Sequence, residues 1–204
     1  MTTMFQNSFD RFGSKAAVVF DDKTYSFADL DNLSDCLASN IASAFNSTED
    51  PSGSSRSIVV PLYAERSIEY IVATIACWKL GVAIAPLSTA TPAKRFHFIL
   101  QDLDATVVLD CTKSLNKKFK KEIQSDALTK VNVIDWDLKE LQTTCSMSGV
   151  SSQDYKMHTP GNGEIAYLIY TSGTTGQPKG CVIGFDALIA IARTYCSSYG
   201  LDHN

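Results

Sequence analysis

The chain has 204 residues, 45% of them hydrophobic, a formal net charge of -4 and a pI of about 5.3. That is enough apolar matter for one sizeable core, or one lobe of a larger domain, and it excludes a disordered tail. With no general basic field, neither nucleic acid nor an anionic membrane surface is expected as a partner.

Met1 to Gly13 lacks a charged region followed by an apolar run, and no stretch reaches the roughly 18 apolar residues of a spanning helix, which points to a cytoplasmic protein without a membrane span. Ala16 to Phe20 is short, apolar and β-branched, and Asp21-Asp22-Lys23 turns it into Thr24-Tyr25, which predicts a small hairpin. Ser26 with Asp29 three residues on forms a capping arrangement, after which Leu30, Leu33, Leu37, Ile41 and Ala44 recur at helical spacing. Residues 46–57 are polar and rich in Ser, Gly and Pro, the composition of an exposed loop. Ile58 to Leu62 reads as a buried strand. Ser67 then caps a helix carrying Ile68, Ile71, Val72, Ile75 and Trp78 that ends near Gly81, and Val82 to Pro86 is the next strand.

Pro92 opens a helix with Phe96, Ile99, Leu100 and Leu103 on one side, and Thr106 to Leu109 returns to β character. This alternation predicts an α/β fold, a mostly parallel sheet flanked by helices, with ligands at the carboxyl ends of its strands. The lysine-rich run from Lys113 to Lys121 has Leu115 and Phe119 four apart, as in a surface helix anchored by two apolar residues and otherwise wet, so it is assigned no function. Val131 to Ile134 is a further strand, and residues 142–163 read as a polar connection. The six cysteines, at 36, 77, 111, 145, 181 and 196, form no Cys-x-x-Cys pair and are expected as reduced, mostly structural thiols. His97, His158 and His203 lack ligand spacing, so no metal site is assigned and packing or exposure is expected for each.

Ile165 to Gly180, IAYLIYTSGTTGQPKG, carries the chemistry. A buried strand is expected to deliver Thr171, Ser172, Gly173, Thr174, Thr175 and Gly176, whose small side chains let backbone N–H groups close around an anion while four hydroxyls add donors. Lys179 adds a full positive charge, presented from a turn punctuated by Pro178 and Gly180. Polyphosphate suits these groups. An ordinary flexible linker would not need this order of residues between two apolar runs. A Walker A loop fails, because Pro178 precedes the lysine, Gly180 follows it, and a strand, Cys181 to Phe185, is expected next instead of a helix. Asp186 then begins a helix with Leu188, Ile189, Ala192 and Tyr195.

YTSGTTGQPKG resembles the signature loop of the adenylate-forming (AMP-binding) enzymes, the superfamily of acyl-CoA synthetases, luciferases and nonribosomal-peptide adenylation domains. Two further stretches carry the resemblance. TYSFADL, from Thr24 to Leu30, is similar to the family's early element, and WKLGVAIAPLSTATPAKR, from Trp78 to Arg95, is similar to its second element in the adenylation-domain form. The resemblance implies that residues 1–204 are the N-terminal portion of an AMP-binding domain. It implies ATP with Mg2+ and a small-molecule carboxylate as reactants, an acyl-adenylate and pyrophosphate as products, and CoA or a carrier-protein phosphopantetheine as the thiol acceptor. Thr171, Ser172, Gly173, Thr174, Thr175, Gly176 and Lys179 carry over as the residues that grip ATP's phosphates; no catalytic residue carries over. The family's later elements are not in this sequence. These are the aromatic-Gly-x-Thr-Glu segment, the ribose-binding Asp and the small C-terminal lid domain with its Lys, so the chain alone is expected not to complete adenylation. The alternative is a non-catalytic fragment with at most weak phosphate binding or an interaction role. Phe185 stands where many family members have His, and Ser88 where peptide-synthetase relatives have Asp, which leaves the substrate open.

Overall fold

A computed structural model describes residues 2–47, 59–115, 117, 119, 131–148, 158, 163–172 and 177–200. Helix α1 (Thr2–Phe12) precedes a hairpin of β1 (Ala16–Phe20) and β2 (Lys23–Ser26), and α2 (Phe27–Ser47) follows. Next come β3 (Val59–Tyr63), α3 (Ile68–Lys79), β4 (Ala83–Leu87), α4 (Ala93–Asp102), β5 (Val107–Asp110) and β6 (Asn132–Asp135). The described residues close with α5 (Leu138–Ser148), β7 (Ile165–Ser172), β8 (Pro178–Gly184) and α6 (Phe185–Tyr199).

Six strands form one sheet in the order β6-β5-β3-β4-β7-β8, parallel throughout except for the antiparallel β7–β8 pair at one edge. Successive strand side chains point to opposite faces, so the apolar runs feed two cores. Val60, Leu62, Ile84 and Leu109 join α2, α3 and α5 on one face. Tyr63, Leu87, Val108 and Tyr170 join α4 on the other, together with Leu115 and Phe119, the two expected anchors of the lysine-rich run. Lys113 is tied to Asp137 and Glu140, Lys117 is exposed, and Lys118, Lys120 and Lys121 lie outside the described residues.

Local chemistry explains the element boundaries. Asp21 and Asp22 take φ of 48° and 61°, the left-handed pair of a two-residue hairpin turn that suits the strand twist. Ser26 N donates to Asp29 Oδ2 at 2.8 Å and Asp29 N donates to Ser26 Oγ at 3.1 Å, closing the capping box of α2. Ser67 Oγ accepts from Tyr70 N at 3.2 Å at the start of α3. Ser67→Ala is therefore expected to cost about 1 kcal/mol, read as a lower urea midpoint with unchanged slope.

The end of α3 is fastened from two sides. Lys79 is only 4% exposed, and its ammonium lies between Asp31, at 2.6 Å, and Asp35, both on α2. The same nitrogen donates to Asp31 O at 3.0 Å and sits 5.3 Å from the Phe9 ring centroid, so α1, α2 and α3 meet on one cation. Two residues later Gly81 takes φ of +73°, and a Cβ there would lie 2.5 Å from the ring of His158. His158 N donates to Lys79 O at 2.8 Å and its Nε2 is 2.7 Å from Glu164 Oε2, so this histidine is a packing element.

Four expectations change. The polar connection over residues 142–163 begins as helix: α5 runs to Ser148, with Thr143 and Thr144 donating back to the carbonyls of Lys139 and Glu140 and Leu141 buried. The turn expected around Lys179 is strand, because β8 starts at Pro178, a first-strand position where a missing N–H is tolerated. That strand ends at Gly184, one residue short of Phe185, which opens α6. The thiols are not all reduced: Cys36 on α2 and Cys145 on α5 form a disulfide with Cα atoms 6.0 Å apart, a proximity hidden by 109 residues of separation. The loop expected over residues 46–57 lies, beyond the end of α2, outside the described residues, as does His203.

Burial pushes the thiol of Cys77 up to about 12 and raises that of Cys111 as well, whereas Cys181 and Cys196 are exposed. In the folded chain at about pH 8, near the ordinary thiol value, Cys181 and Cys196 are expected to react quickly with a disulfide reagent. Cys77, which is buried, is expected to react only on unfolding and Cys111, half-buried, more slowly than the exposed pair, and peptide mapping after a timed quench separates them.

Candidate functional site

β7 crosses the sheet with Ala166, Leu168 and Tyr170 buried and then turns polar, so Thr171 and Ser172 stand exposed at its carboxyl end. β8 returns antiparallel, with Thr171 opposite Lys179 and Ser172 opposite Pro178. Two hydroxyls and an exposed ammonium therefore share the end of one hairpin, and Thr171 Oγ1 lies 3.5 Å from Lys179 O. Of the seven residues expected to grip phosphate, these three are brought together. Gly173, Thr174, Thr175 and Gly176 lie outside the described residues.

The surrounding elements hold this hairpin by specific bonds. Trp78 on α3 donates from Nε1 to Ala166 O at 2.9 Å, and its ring meets Phe185 edge-on at 5.6 Å. Arg95 on α4 donates from Nη2 to Tyr170 O at 2.7 Å, and the Tyr170 hydroxyl donates to Asp102 Oδ2 at 2.6 Å. Burial, and then the bond to Asp102, raise the Tyr170 phenol above its ordinary value, so it stays a proton donor. Gly180 faces Tyr170 across the ladder, where a Cβ would come 3.4 Å from Tyr170 Cζ. Trp78 and Arg95 belong to the second sequence element, but their spacing did not reveal these partners. Asp102 carried no sequence signal beyond its place seven residues after Arg95.

The positions that depart from the family pattern have structural partners. Phe185 is buried against Trp78, and its N–H donates to Glu164 O at 3.0 Å. Ser88 is exposed and accepts from Ala90 N at 3.1 Å through its hydroxyl, which closes a turn. A separate cleft of about 780 Å³ is lined in part by Tyr25, Asp29, Glu69, Asp137 and Lys139. Two of its acids are helix caps: Asp29 closes the box of α2, and Asp137 Oδ1 accepts from Glu140 N at 2.8 Å at the start of α5. Among the described residues no group of three or more His, Cys, Asp or Glu converges as a metal site, and no helix is long and apolar enough to cross a membrane.

Comparison with known proteins bears on the fold and the family. Nonribosomal peptide synthetase 2 of Gibberella zeae is 34% identical over 151 residues, 74% of this chain and 3% of that protein. The fatty acyl CoA synthetase of Mycobacterium tuberculosis superposes with a TM-score of 0.74 at 20% identity, over 96% of this chain and 36% of its own. ATP-bound MatB from Rhodopseudomonas palustris gives a TM-score of 0.71 at 21% identity, over 95% of this chain and 37% of its own. The chain thus spans little more than a third of these solved relatives and a few per cent of the synthetase. A family model described as AMP-binding enzyme matches residues 5–203, nearly the whole sequence, and the chain belongs to that family.

Proposed function

We propose that this chain is the N-terminal part of an ATP-dependent ligase that activates a carboxylate as acyl-AMP before transfer to a thiol. The family match over residues 5–203, with the signature loop leaving the carboxyl end of β7, carries this reading. The donor set fits a polyphosphate: exposed hydroxyls of Thr171 and Ser172 and the exposed ammonium of Lys179 are hard, polar and cationic, with no carboxylate among them. In the reaction a carboxylate oxygen bonds to the α-phosphorus of ATP while the bond to the bridging oxygen breaks, and pyrophosphate leaves with that electron pair. Negative charge grows on the leaving group, where Thr171, Ser172 and Lys179 are proposed to hold it. Magnesium would ride on the nucleotide's phosphates and neutralise part of that charge.

The second-element form from Trp78 to Arg95 favours an amino acid or similar acid over a fatty acid as substrate, with a carrier-protein phosphopantetheine or CoA as acceptor. The four free cysteines support a reducing, cytoplasmic setting, in which the Cys36–Cys145 bridge would be reversible. A second reading, a non-catalytic fragment, is favoured by Ile169, Val182, Ile191, Tyr195 and Tyr199, large apolar side chains exposed on β7, β8 and α6.

Intact mass of the endogenous protein, followed by ATP–pyrophosphate exchange on that species with a panel of amino and fatty acids, tests both. Substrate-dependent exchange by a species well above 22.2 kDa supports the ligase and names its acid. A native mass of 22.2 kDa with no exchange leaves the fragment.

A further inference from the structure

Tyr170 is the last buried residue before the chain leaves β7, and α4 grips it at both ends. Its carbonyl oxygen accepts from Arg95 Nη2 at 2.7 Å and its phenol donates to Asp102 Oδ2 at 2.6 Å. Arg95 and Asp102 are seven residues apart, close to two full turns, so they project from one side of α4 about 10 Å apart along its axis. The helix that carries them is itself fixed. Phe96, Ile99 and Leu100 are at most 1% exposed, and Phe96 stacks on Phe119 at 4.4 Å and meets Tyr63 edge-on at 5.9 Å. Across the ladder Gly180 lies opposite Tyr170, where even a Cβ would be in ordinary contact with the ring. One residue is thus held at its main-chain carbonyl and at its side-chain hydroxyl, and Thr171 is the next residue.

We propose that Arg95 and Asp102 are positioning residues, acting through Tyr170 to set the direction in which Thr171 and Ser172 leave the sheet toward a bound polyphosphate. The inference rests on the polyphosphate reading of Thr171, Ser172 and Lys179. Both bonds are charge-assisted, the kind that holds a main-chain oxygen or a phenol most firmly. Phosphate-binding groups lose their value when displaced, since a misplacement of about 1 Å costs on the order of 10²-fold.

The test uses the 204-residue chain, with amide hydrogen exchange read at Thr171 and Ser172 and inorganic pyrophosphate binding read by titration calorimetry. Arg95→Met and Asp102→Ala are each expected to speed exchange at Thr171 and Ser172 about tenfold or more, while exchange in α3 and the urea midpoint hold steady. Pyrophosphate affinity is expected to fall on the order of tenfold in both, and Arg95→Lys, which keeps a charged donor, to recover most of each loss. Because Asp102 is exposed on α4, Asp102→Ala keeps the test alive if Arg95→Met fails to fold. Exchange at Thr171 and Ser172 that is unchanged in both variants, or that rises equally in α3, overturns the proposal. A wild-type chain that binds no pyrophosphate overturns the polyphosphate reading, and the clamp is then decided by the exchange alone.

Discussion

Lys79→Met is expected to lower the unfolding free energy by about 3–5 kcal/mol, enough to leave a small domain largely unfolded near body temperature. The reason is what remains behind. Asp31 and Asp35 are 24% and 13% exposed, and without the ammonium between them two partly buried carboxylates lose the cation they share. Methionine fills the volume and keeps its contact with Phe9, so a loss of that size measures the charge and not a cavity. Removing Asp31 and Asp35 together with Lys79, as an Asp31→Asn, Asp35→Leu, Lys79→Met triple variant, is expected to recover much of the stability, because no buried charge is then orphaned. Urea unfolding of the three proteins checks this. A single Lys79→Met variant within about 1 kcal/mol of the parent would show the cluster to be as weak as a surface pair.

Lys179→Ala is expected to cut ATP–pyrophosphate exchange in the exchange-competent species by about 10²- to 10³-fold, the scale of losing one preorganised donor to a developing anion. Stability is expected to stay within about 0.5 kcal/mol, since Lys179 is exposed on the edge strand and only its main chain takes part in the β7 ladder. Lys79 and Lys179, each in one of the quoted sequence elements, are therefore expected to separate cleanly, the first acting on folding and the second on chemistry. Full exchange activity in Lys179→Ala would remove the ammonium from the mechanism.

The fold was readable wherever a short-range rule and a long-range one agreed. Ser26 and Asp29, Ser67, Pro92 and Gly81 mark helix ends by bonds made within a few residues, and the structure places each of them as the local chemistry demands. The strands between them are apolar runs too short for anything but a sheet covered on both faces. Pro178 and Gly180 misled because they are turn residues in most settings, whereas here the proline begins an edge strand and the glycine lies within it opposite Tyr170. Residues 142–148 misled because Thr143 and Thr144 look like loop polarity until their hydroxyls bond back into the helix. At the site, residue types alone pointed to Thr171, Ser172 and Lys179, and the structure sets them exposed at the end of one hairpin. Arg95, Asp102 and the Cys36–Cys145 pair stayed hidden because their partners are set by helix packing across the sheet, which no local pattern encodes.

The Cys36–Cys145 bond also divides the molecule mechanically. The covalent ring it closes contains β3, β4, β5 and β6, while β7, β8 and α6 hang outside it. Pulled from its two ends, the oxidised protein would surrender the signature hairpin and keep the four-stranded remainder under no direct load. The sequence separation of 109 that the ring closes would withhold roughly 380 Å of contour length, at about 3.5 Å per residue, until a reductant opened it.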